Sequence, residues 1–424
     1  MKTDALKDRL RFITNRIREH LWFRPAVISL VVVGAVLLAR VADGFGAPQW
    51  VPEVSQDTLV KLLTVLSGSM LVIATFAVGS MVAAYDAASR TATPRSFSLI
   101  LADDVSQNAL SAFIGAFIFS IVGLVAVENS YYGRGGRFTL FLLVLIVFAV
   151  VVLTFVRWVD RIARLGRLGP TIKRVESAGE VSIKRRKHSP RMGGVEVTER
   201  PDNAEMVKVE AIGYVARLDV AFLQSLAEKS AARIEVVALP GKFVFPGESL
   251  AVVKPDKDDY SGVDPDKVRK AFVISEDRTF DEDPRFGLVA LSEIASRALS
   301  PGVNDPGTAI EVISSVVRLF SIWGGDADND AESSKPESDR VEVPELSLDD
   351  MFNDAFGSVA RDGAGQIEVV IRVQKALGSL AGYGDDFAAI ADRHSRVALK
   401  RAKNALSIEE DIERAIEVRA QYFG

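Results

Sequence analysis

The 424-residue sequence contains no cysteine and only three histidines. The absence of cysteine excludes disulfide bonds, thiol catalysis and thiolate metal sites. His20, His188 and His394 are scattered among charged residues, so a histidine metal site or a catalytic triad is not expected. No Walker, Rossmann or histidine-containing catalytic signature is present. We therefore expect the protein not to be an enzyme and to hold no metal or other cofactor. The net charge of −5 argues against nucleic acid as a partner.

Charge is also missing from the interior of two long apolar runs, at residues 59–85 and 109–127. Each run is long enough as a helix to cross a hydrocarbon core of about 30 Å, which needs about 20 residues. A helix of a soluble domain rarely stays apolar on all sides over such a length. Similar runs occupy residues 26–41 and 138–156. The sequence therefore predicts four transmembrane helices.

The predicted fold class is an α-helical membrane domain followed by a C-terminal cytoplasmic α+β domain that is mostly helical. Composition and turn signals divide the chain into a basic amphipathic helix (1–24), the membrane domain (25–160), a basic juxtamembrane connector (161–206), a small α/β unit (207–280), a helix–turn–helix (281–325), an acidic flexible linker (326–345) and C-terminal helices (346–424).

Part of the α/β unit resembles half of a biotinyl/lipoyl-type barrel-sandwich. Two Pro/Gly turns flank Phe243 and Phe245, and an apolar strand follows them. Carrier domains of that type modify a lysine in a Met-Lys-Met setting, which Lys242 lacks. The resemblance therefore implies only the fold.

The distribution of lysine and arginine predicts the topology. The N-terminal segment and the segment after the fourth span are both basic, and the latter includes a cluster at residues 184–187. Basic flanks mark the cytoplasmic side, and an even number of spans leaves both termini there. We expect a bacterial cytoplasmic (inner) membrane protein. Its partners are then the lipid bilayer and, at the basic juxtamembrane segments, anionic lipid headgroups.

Small and hydroxyl side chains recur on the two central spans at spacings that place them on one helix face. Such faces serve helix packing, or they line a pore that several subunits surround. The pattern does not separate these alternatives. The candidate pore-lining residues are Ser67, Ser69, Thr75, Gly79, Ala83, Ala112, Ala116 and Ser120. Candidate charges at the pore mouths are Asp86, Asp103, Asp104 and Glu128, each of which could equally be a solvated helix end.

Several Asp-Pro and Ser-x-x-Glu patterns predict helix starts in the second half. Asp283 precedes a helix over residues 284–299, and Asp305 precedes one over residues 306–323. Ser407 and Glu410 form a capping box for the last helix. The turn between the first two helices contains Ser300, Pro301, Gly302, Asn304, Asp305 and Pro306. Its oxygens suit a cation, but capping accounts for the same residues and is the favoured interpretation.

This chain resembles a bacterial family of predicted membrane proteins, domain of unknown function 2254. The resemblance rests on Thr93-Pro94-Arg95 with Asp103 and Asp104, on Phe286-Gly287-Leu288, and on residues 298–306. Gly213-Tyr214-Val215 and residues 240–247 add to it. The family's first motif more often begins with serine, where this chain has Thr93. The resemblance implies four spans and a cytoplasmic domain, and it implies no activity.

Two functions remain open at this stage. The first is a homo-oligomeric, channel-like protein whose second and third spans line the pore and whose cytoplasmic domain gates it. The alternative is a membrane-tethered regulatory or interaction module with a ligand- or partner-binding cytoplasmic domain. A secondary transporter is disfavoured because no ionisable residue lies in the middle of a span.

Overall fold

The computed structural model describes residues 23–44, 52–91, 93–96, 99, 104–163, 168–256, 260–325 and 336–424. The chain divides into two compact units, of which the second comprises Thr91–Ser96 and Thr171–Gly424. The first unit holds the remaining residues up to Pro170. The predicted helix over 1–24, except for its last two residues, lies outside the described residues, as do Asp103 and the first half of the acidic linker.

The first unit is built from helices. They are α1 (Phe23–Leu38), the short α2 (Val41–Gly44), α3 (Gln56–Thr91), α4 (Asp104–Glu128) and α5 (Arg134–Ile162). Long runs of Val, Leu, Ala and Phe without interior charge form these helices, and no proline interrupts α3, α4 or α5.

Two apolar clusters hold the first unit together. One joins Leu59 and Leu63 of α3 to Phe119 of α4 and Leu140 of α5. The other joins Met70 of α3 to Phe113 of α4 and to Trp158 of α5. α4 is the most buried of these helices, whereas α1 and α5 expose most of their apolar surface.

The loop between α4 and α5 is fixed by the carboxylate of Asp43. This carboxylate accepts hydrogen bonds from the backbone N–H of Gly133 at 2.8 Å and of Gly136 at 2.7 Å. A Cβ on Gly136 would lie 2.7 Å from the same carboxylate, so the close approach requires glycine. Asp43 thus caps the start of α5 from a distant part of the chain, because the N-cap residue Gly133 has no side chain to do so.

Five of the described helices are long and apolar enough to cross a membrane. Four of them lie in the first unit and correspond to the predicted spans. The fifth, α10 (Pro306–Gly324), lies in the second unit and is the least hydrophobic of the five. Length and composition therefore give five candidates where the sequence analysis predicts four spans.

The second unit begins with α6 (Leu168–His188) and contains two small sheets. The strands are β1 (Glu205–Lys208), β2 (Gly213–Leu218), β3 (Ala232–Val236), β4 (Phe243–Val244), β5 (Ser249–Pro255), β6 (Phe272–Ser275) and β7 (Val341–Glu342). One sheet has the order β1-β5-β3-β7 and the other the order β4-β2-β6. The β3–β7 pair is parallel, and the other pairs are antiparallel.

Both sheets share one hydrophobic core with two short helices, α7 (Val220–Lys229) and α8 (Pro265–Arg269). Residues 239–253 supply β4 to one sheet and β5 to the other. The five residues from Leu250 to Lys254 are all buried, which is why this apolar run forms a central strand.

The remaining helices are α9 (Pro284–Ala298), α10, α11 (Leu348–Asp362), α12 (Ile367–Leu380), α13 (Asp385–Ala405) and α14 (Glu409–Phe423). Their core includes a group of aromatic rings. The ring centroid of Phe320 in α10 lies 4.6 Å from that of Phe352 in α11 and 6.4 Å from that of Phe387 in α13. The predicted helix starts at Asp283 and Asp305 are confirmed, since both residues are N-caps.

The structure differs from the predictions at three places. The second unit starts at Thr171, inside the predicted connector, because Ile172, Val175 and Ile183 of α6 are buried. The end of the predicted flexible linker forms β7, whose Val341 and Glu342 are both fully buried. The capping box at Ser407 is absent, since the N-cap of α14 is Ile408, without a side-chain hydrogen bond.

A buried charge network explains why an acidic segment joins a sheet. The ammonium of Lys254 lies 2.6 Å from the carboxylate of Glu342 and 3.0 Å from that of Glu235. Arg200 binds Glu235 through two bonds of 2.9 and 2.7 Å. Burial opposes ionisation, but hydrogen bonds from Arg200 and Lys254 hold the pKa of Glu235 below its ordinary value. The burial of Glu342 in β7 therefore depends on a cation that is distant in sequence.

Candidate functional site around helix α9

The predicted pore-lining residues of α3 lie mainly on an open face. Ser69, Thr75, Gly79 and Ala83 are exposed in the first unit. A Cβ added at Gly79 would meet no atom within 4 Å. Ser67, by contrast, is buried and donates to the carbonyl of Thr64 at 3.0 Å.

The predicted pore-lining residues of α4 do not lie on an open face. Ala112 is half-buried, whereas Ala116 and Ser120 are buried within the first unit. The hydroxyl of Ser120 donates to the carbonyl of Ala116 at 2.7 Å, so its hydrogen bond stays within the helix. The structure therefore does not bring the α3 and α4 candidates onto one common face of a single chain.

Two of the predicted pore-mouth charges are exposed at helix ends, Asp86 near the end of α3 and Glu128 at the end of α4. Asp104 begins α4, and its side chain, like the whole of Asp103, lies outside the described part of the chain. The described residues contain no group of three or more His, Cys, Asp or Glu that could hold a metal ion.

The Thr-Pro-Arg motif belongs to the second unit, although it follows directly after α3. Pro94–Ser96 form a 3₁₀ turn in which the hydroxyl of Ser96 donates to the carbonyl of Thr93 at 2.8 Å. Thr93 and Ser96 are buried, and Arg95 forms an ion pair with Glu293 of α9. The Thr-Pro-Arg segment is thus tied to α9.

The start of α9 contacts a second motif stretch. Asp283 caps the helix by accepting the N–H of Arg285 at 3.1 Å, and it also binds Nε of Arg278 at 2.7 Å. Burial raises the pKa of Asp283 against the opposing hydrogen bond from Arg278. Gly241, from the Pro/Gly stretch at residues 240–247, has a φ of +92°, and a Cβ there would lie 2.3 Å from the carboxylate of Asp283. Glycine is therefore required beside this cap.

The middle of α9 packs closely against two other helices. A Cβ on Gly287 would lie 2.8 Å from the Cα of Gly179, so α6 and α9 cross with their backbones in contact. On the side facing α11, Arg285 binds Asp350 at 2.8 Å and Asp354 at 2.7 Å. The hydroxyl of Ser296 donates to Asp362 of the same helix.

The end of α9 leads into the exposed motif turn. Asp305 accepts the N–H and the hydroxyl of Thr308 at 3.1 and 2.6 Å, and these bonds lower the pKa of Asp305. Asn304 adopts a left-handed φ of 50°, which asparagine tolerates better than most residues. Ser300 donates to the carbonyl of Arg297 at 2.7 Å. Pro301 and Gly302 are exposed, whereas Pro306 is half-buried as the first residue of α10.

A groove of about 340 Å³ lies beside this turn. Nε2 of Gln366, the N-cap of α12, donates to Oδ1 of Asn304 at 2.9 Å and so ties the turn to α12. The groove has an apolar part and a charged part, and its lining residues are Ile310, Ile367, Ile371, Glu368, Arg372, Lys375 and Arg414.

The basic cluster at residues 184–187, which we assigned to lipid headgroups, makes internal contacts in the second unit. Arg185 donates to the carbonyl of Asp281 at 2.6 Å, and Lys187 donates to the carbonyls of Ile322 and Gly325. Arg186 is buried, which lowers its pKa. Arg185 and Lys187 therefore tie α6 to other parts of this unit.

Three motif stretches of the sequence meet at α9, namely the Thr-Pro-Arg segment, residues 240–247 and residues 298–306. This helix contacts the Thr-Pro-Arg loop through Glu293 and the Pro/Gly stretch through Asp283, and its end forms the motif turn. Sequence reasoning missed Glu293, Arg278 and Gly179, because each acts through a partner far away in the chain. The arrangement connects several elements of the second unit to one helix.

The long apolar helices place this chain among membrane proteins. A family model described as "Predicted membrane protein (DUF2254)" matches residues 18–379, and the chain belongs to this family. Uncharacterised proteins of Mycobacterium bovis and Mycobacterium tuberculosis are each 34% identical to it over 113 residues. These matches cover 26% of this chain and 22% of each relative, so the chain spans about a fifth of the length of these curated relatives. No solved structure matches the chain.

Proposed function

We propose that the protein is a homo-oligomeric, channel-like protein of the cytoplasmic membrane, without enzymatic activity, and that its second unit gates it. The open small-residue face of α3 carries this proposal. Gly68, Thr75 and Gly79 share that face, and a Cβ at either glycine would meet no atom within 4 Å. In lipid, such faces let helix backbones from separate subunits approach closely. Four spans are too few to enclose a pore alone, so copies surround a common axis.

In this proposal α3 lines the pore, and α4 supports it from behind. Ala77 of α3 belongs to the same buried cluster as Phe113 and Ala116 of α4. The small residues of α4 then serve packing within one chain, whereas those of α3 serve contacts between copies and the pore surface.

The proposed topology has four spans and both termini in the cytoplasm. The inclusion of Thr91–Ser96 in the second unit supports it, because that loop then lies on the same side as the C-terminal part. We assign α10 to the core of the second unit. Its Arg318 binds Glu176 of α6 at 2.5 and 2.7 Å, and its Phe320 is fully buried among aromatic rings.

Gating would act through the end of α3. The chain passes from α3 directly into the turn that carries Arg95, and Arg95 pairs with Glu293 of α9. A shift of α9 would therefore pull on the end of the pore helix. Both side chains are partly exposed, so the pair adds only about 0.2–1 kcal/mol to stability and can break and reform.

The first experiment is ion flux through purified protein in liposomes, with Gly79→Trp as the test variant. Because Gly79 has open space around it, tryptophan fits in the single chain but obstructs a shared axis. The matched control is Val150→Trp on α5, a residue that is 49% exposed on the apolar outside. We expect loss of flux only in the α3 variant. Absence of flux in the unmodified protein over a range of salts, voltages and membrane tensions would refute the channel.

The absence of cysteine allows a direct test of assembly. Single cysteines at Gly68, Thr75 or Gly79 should form disulfide-linked dimers in membranes, whereas a cysteine at Val150 should not. Equal cross-linking at all four positions would show that α3 is not the shared face.

Charge reversal tests the coupling separately. Arg95→Glu and Glu293→Arg should each change the fraction of time that the channel is open, and the double variant should restore it. If the single variants conduct like the unmodified protein, the ion pair has no role in gating.

A cysteine in the exposed turn tests the topology. A membrane-impermeant maleimide should not label a cysteine at Val303 in intact cells, whereas it should label one at Asn129, in the loop between α4 and α5. Both native residues are exposed. The reverse pattern would invert the proposed orientation.

The alternative function, a tethered regulatory module, is favoured by the groove beside the motif turn. Its lining offers three isoleucines for an apolar contact, together with Arg372, Lys375 and Arg414. In this alternative, Gly79→Trp leaves the function of the protein in cells unchanged, whereas Ile371→Glu abolishes it. That result would show that the spans act as a tether and that the groove carries the function.

A further inference from the structure

A second pocket of about 170 Å³ lies between α11 and α13 in the second unit. Its buried floor includes Phe356 of α11 and Leu377 of α12. Val397 of α13 stands at its rim and is 47% exposed. The pocket is separate from the α9 contacts and from the groove beside the motif turn, since it shares no lining residue with that groove.

The polar side chains of this pocket are predominantly basic. α13 contributes Arg393, His394 and Arg401, and α11 contributes the amide of Asn353. Arg393 and Arg401 are eight residues apart, which places them on the same side of the helix about two turns apart. No carboxylate occurs among the described residues that line the pocket. Asp349 lies next to it, where it pairs with Arg393 and approaches Nε2 of His394 at 3.3 Å.

The position of Arg401 is fixed by the backbone. Its Nη1 donates to the carbonyl of Gly357 on the facing helix at 2.8 Å. This contact holds one guanidinium against the wall formed by α11. An ordered cation at the edge of an apolar pocket is a typical element of a site for a small charged ligand, because the apolar walls strengthen the electrostatic attraction.

We propose that this pocket binds a small organic anion, with its carboxylate or phosphate head against Arg393, His394 and Arg401 and its apolar body over Phe356. The volume limits the ligand. At about 170 Å³ the pocket admits a small molecule and excludes a macromolecule. The inference does not depend on the channel, because all of the residues involved lie in the second unit.

His394 provides a spectroscopic signal for the test. Burial and the neighbouring guanidinium groups of Arg393 and Arg401 lower its pKa to about 4, and Asp349 is the carboxylate that faces it. A bound anion offsets part of that positive charge, so binding raises the pKa of His394. By linkage, protonation of His394 strengthens binding by the same factor.

The test uses the full chain in detergent, labelled with ¹³C at the histidine ring. The sequence has three histidines, so the signal of His394 is assigned by its loss in His394→Gln. The probes are benzoate, its neutral analogue benzamide, and inorganic phosphate. We expect saturable binding of benzoate with a higher pKa for His394, and no binding of benzamide. Equal binding of benzoate and benzamide, or binding of phosphate alone, would overturn the assignment of an organic anion.

Two variants locate the site. Arg401→Gln should weaken benzoate binding about tenfold or more, since a hydrogen bond to a charged group is lost. Val397→Trp should obstruct the mouth without disturbing the core, because the native side chain is half exposed. The control is Arg396→Gln, on the same helix but outside the pocket, where Arg396 pairs with Asp392 at 3.2 Å. Unchanged affinity in both test variants, or no benzoate binding up to about 10 mM, would refute the site.

Discussion

The two units of this chain differ in where their charged side chains find partners. In the first unit many hydroxyl groups bond to a carbonyl one turn earlier in the same helix, as Thr75 does to Leu71 and Ser120 to Ala116. In the second unit several buried or partly buried ion pairs connect distant parts of the chain, as Lys254 does to Glu342 and Arg318 to Glu176. A helix in lipid satisfies its polar groups internally, whereas a soluble fold uses them to join its elements.

The apolar side chains show the same contrast. Leu30 of α1 and Leu153 of α5 are 75% and 64% exposed, whereas Leu223 of α7 and Leu291 of α9 are fully buried. The outside of the first unit is therefore suited to hydrocarbon, and stability in that unit depends on close packing of helices. In the second unit stability depends on burial and on long-range charge pairs. Single substitutions should separate these two cases.

The largest effect is expected for Lys254→Met in the second unit. The variant leaves Glu235 and Glu342 buried without their shared cation, and loss of one partner of a buried charge network costs about 3–5 kcal/mol. Pulse proteolysis in urea would measure the free energy of unfolding of this unit. Lys61→Met in the first unit is the control, because Lys61 and Asp57 are both mostly exposed, and it should cost about 0.5 kcal/mol or less. Similar losses in both variants would contradict the contrast.

The second largest loss of stability is expected at Gly287, where α6 and α9 cross. Alanine there would place a Cβ 2.8 Å from the Cα of Gly179, so α6 and α9 would have to separate. Overpacking of this kind costs about 1–3 kcal/mol. Gly79→Ala on the open face of α3 is the matched change, and it should not lower the stability of the single chain. The same assay measures both variants, and an unchanged Gly287→Ala protein would show that the crossing can relax.

Asp43 is an exception within the first unit, because its hydrogen bonds bridge about 90 residues. Asp43→Ala should cost about 1–2 kcal/mol, since two backbone donors at the start of α5 lose their acceptor. The temperature at which the detergent-solubilised protein aggregates would report this loss. Asp57→Ala, which removes an exposed helix-surface pair, is the control. If Asp43→Ala behaves like the control, water replaces the carboxylate at this loop.

These contrasts explain how far the sequence could be interpreted. The long apolar helices of the first unit and the caps at Asp283 and Asp305 follow local rules, so periodicity and turn chemistry were sufficient to find them. β7 was assigned to a linker because the acidic composition around Glu342 gives no sign of Lys254, its partner 88 residues away. Glu293 and Gly179 were missed for the same reason. The small-residue pattern on α4 was visible, but its packing against α1, where Ile28 lies close to Gly115, was not.

The smallest change in stability is expected at the motif turn. Substitutions of Asp305 test whether its carboxylate does more than cap a helix. Asp305→Asn should leave stability at pH 7 nearly unchanged, because asparagine caps as well as aspartate, whereas Asp305→Ala should cost about 1 kcal/mol. The bonds from Thr308 lower the pKa of Asp305, so its stabilising contribution is present above the unfolded-state pKa and is lost as the pH falls through the folded-state value. The asparagine variant should therefore lose less stability than the unmodified protein on acidification. If Asp305→Asn is as stable as expected but abolishes flux, the charge itself has a functional role, and the interpretation of this turn as a cap alone is wrong.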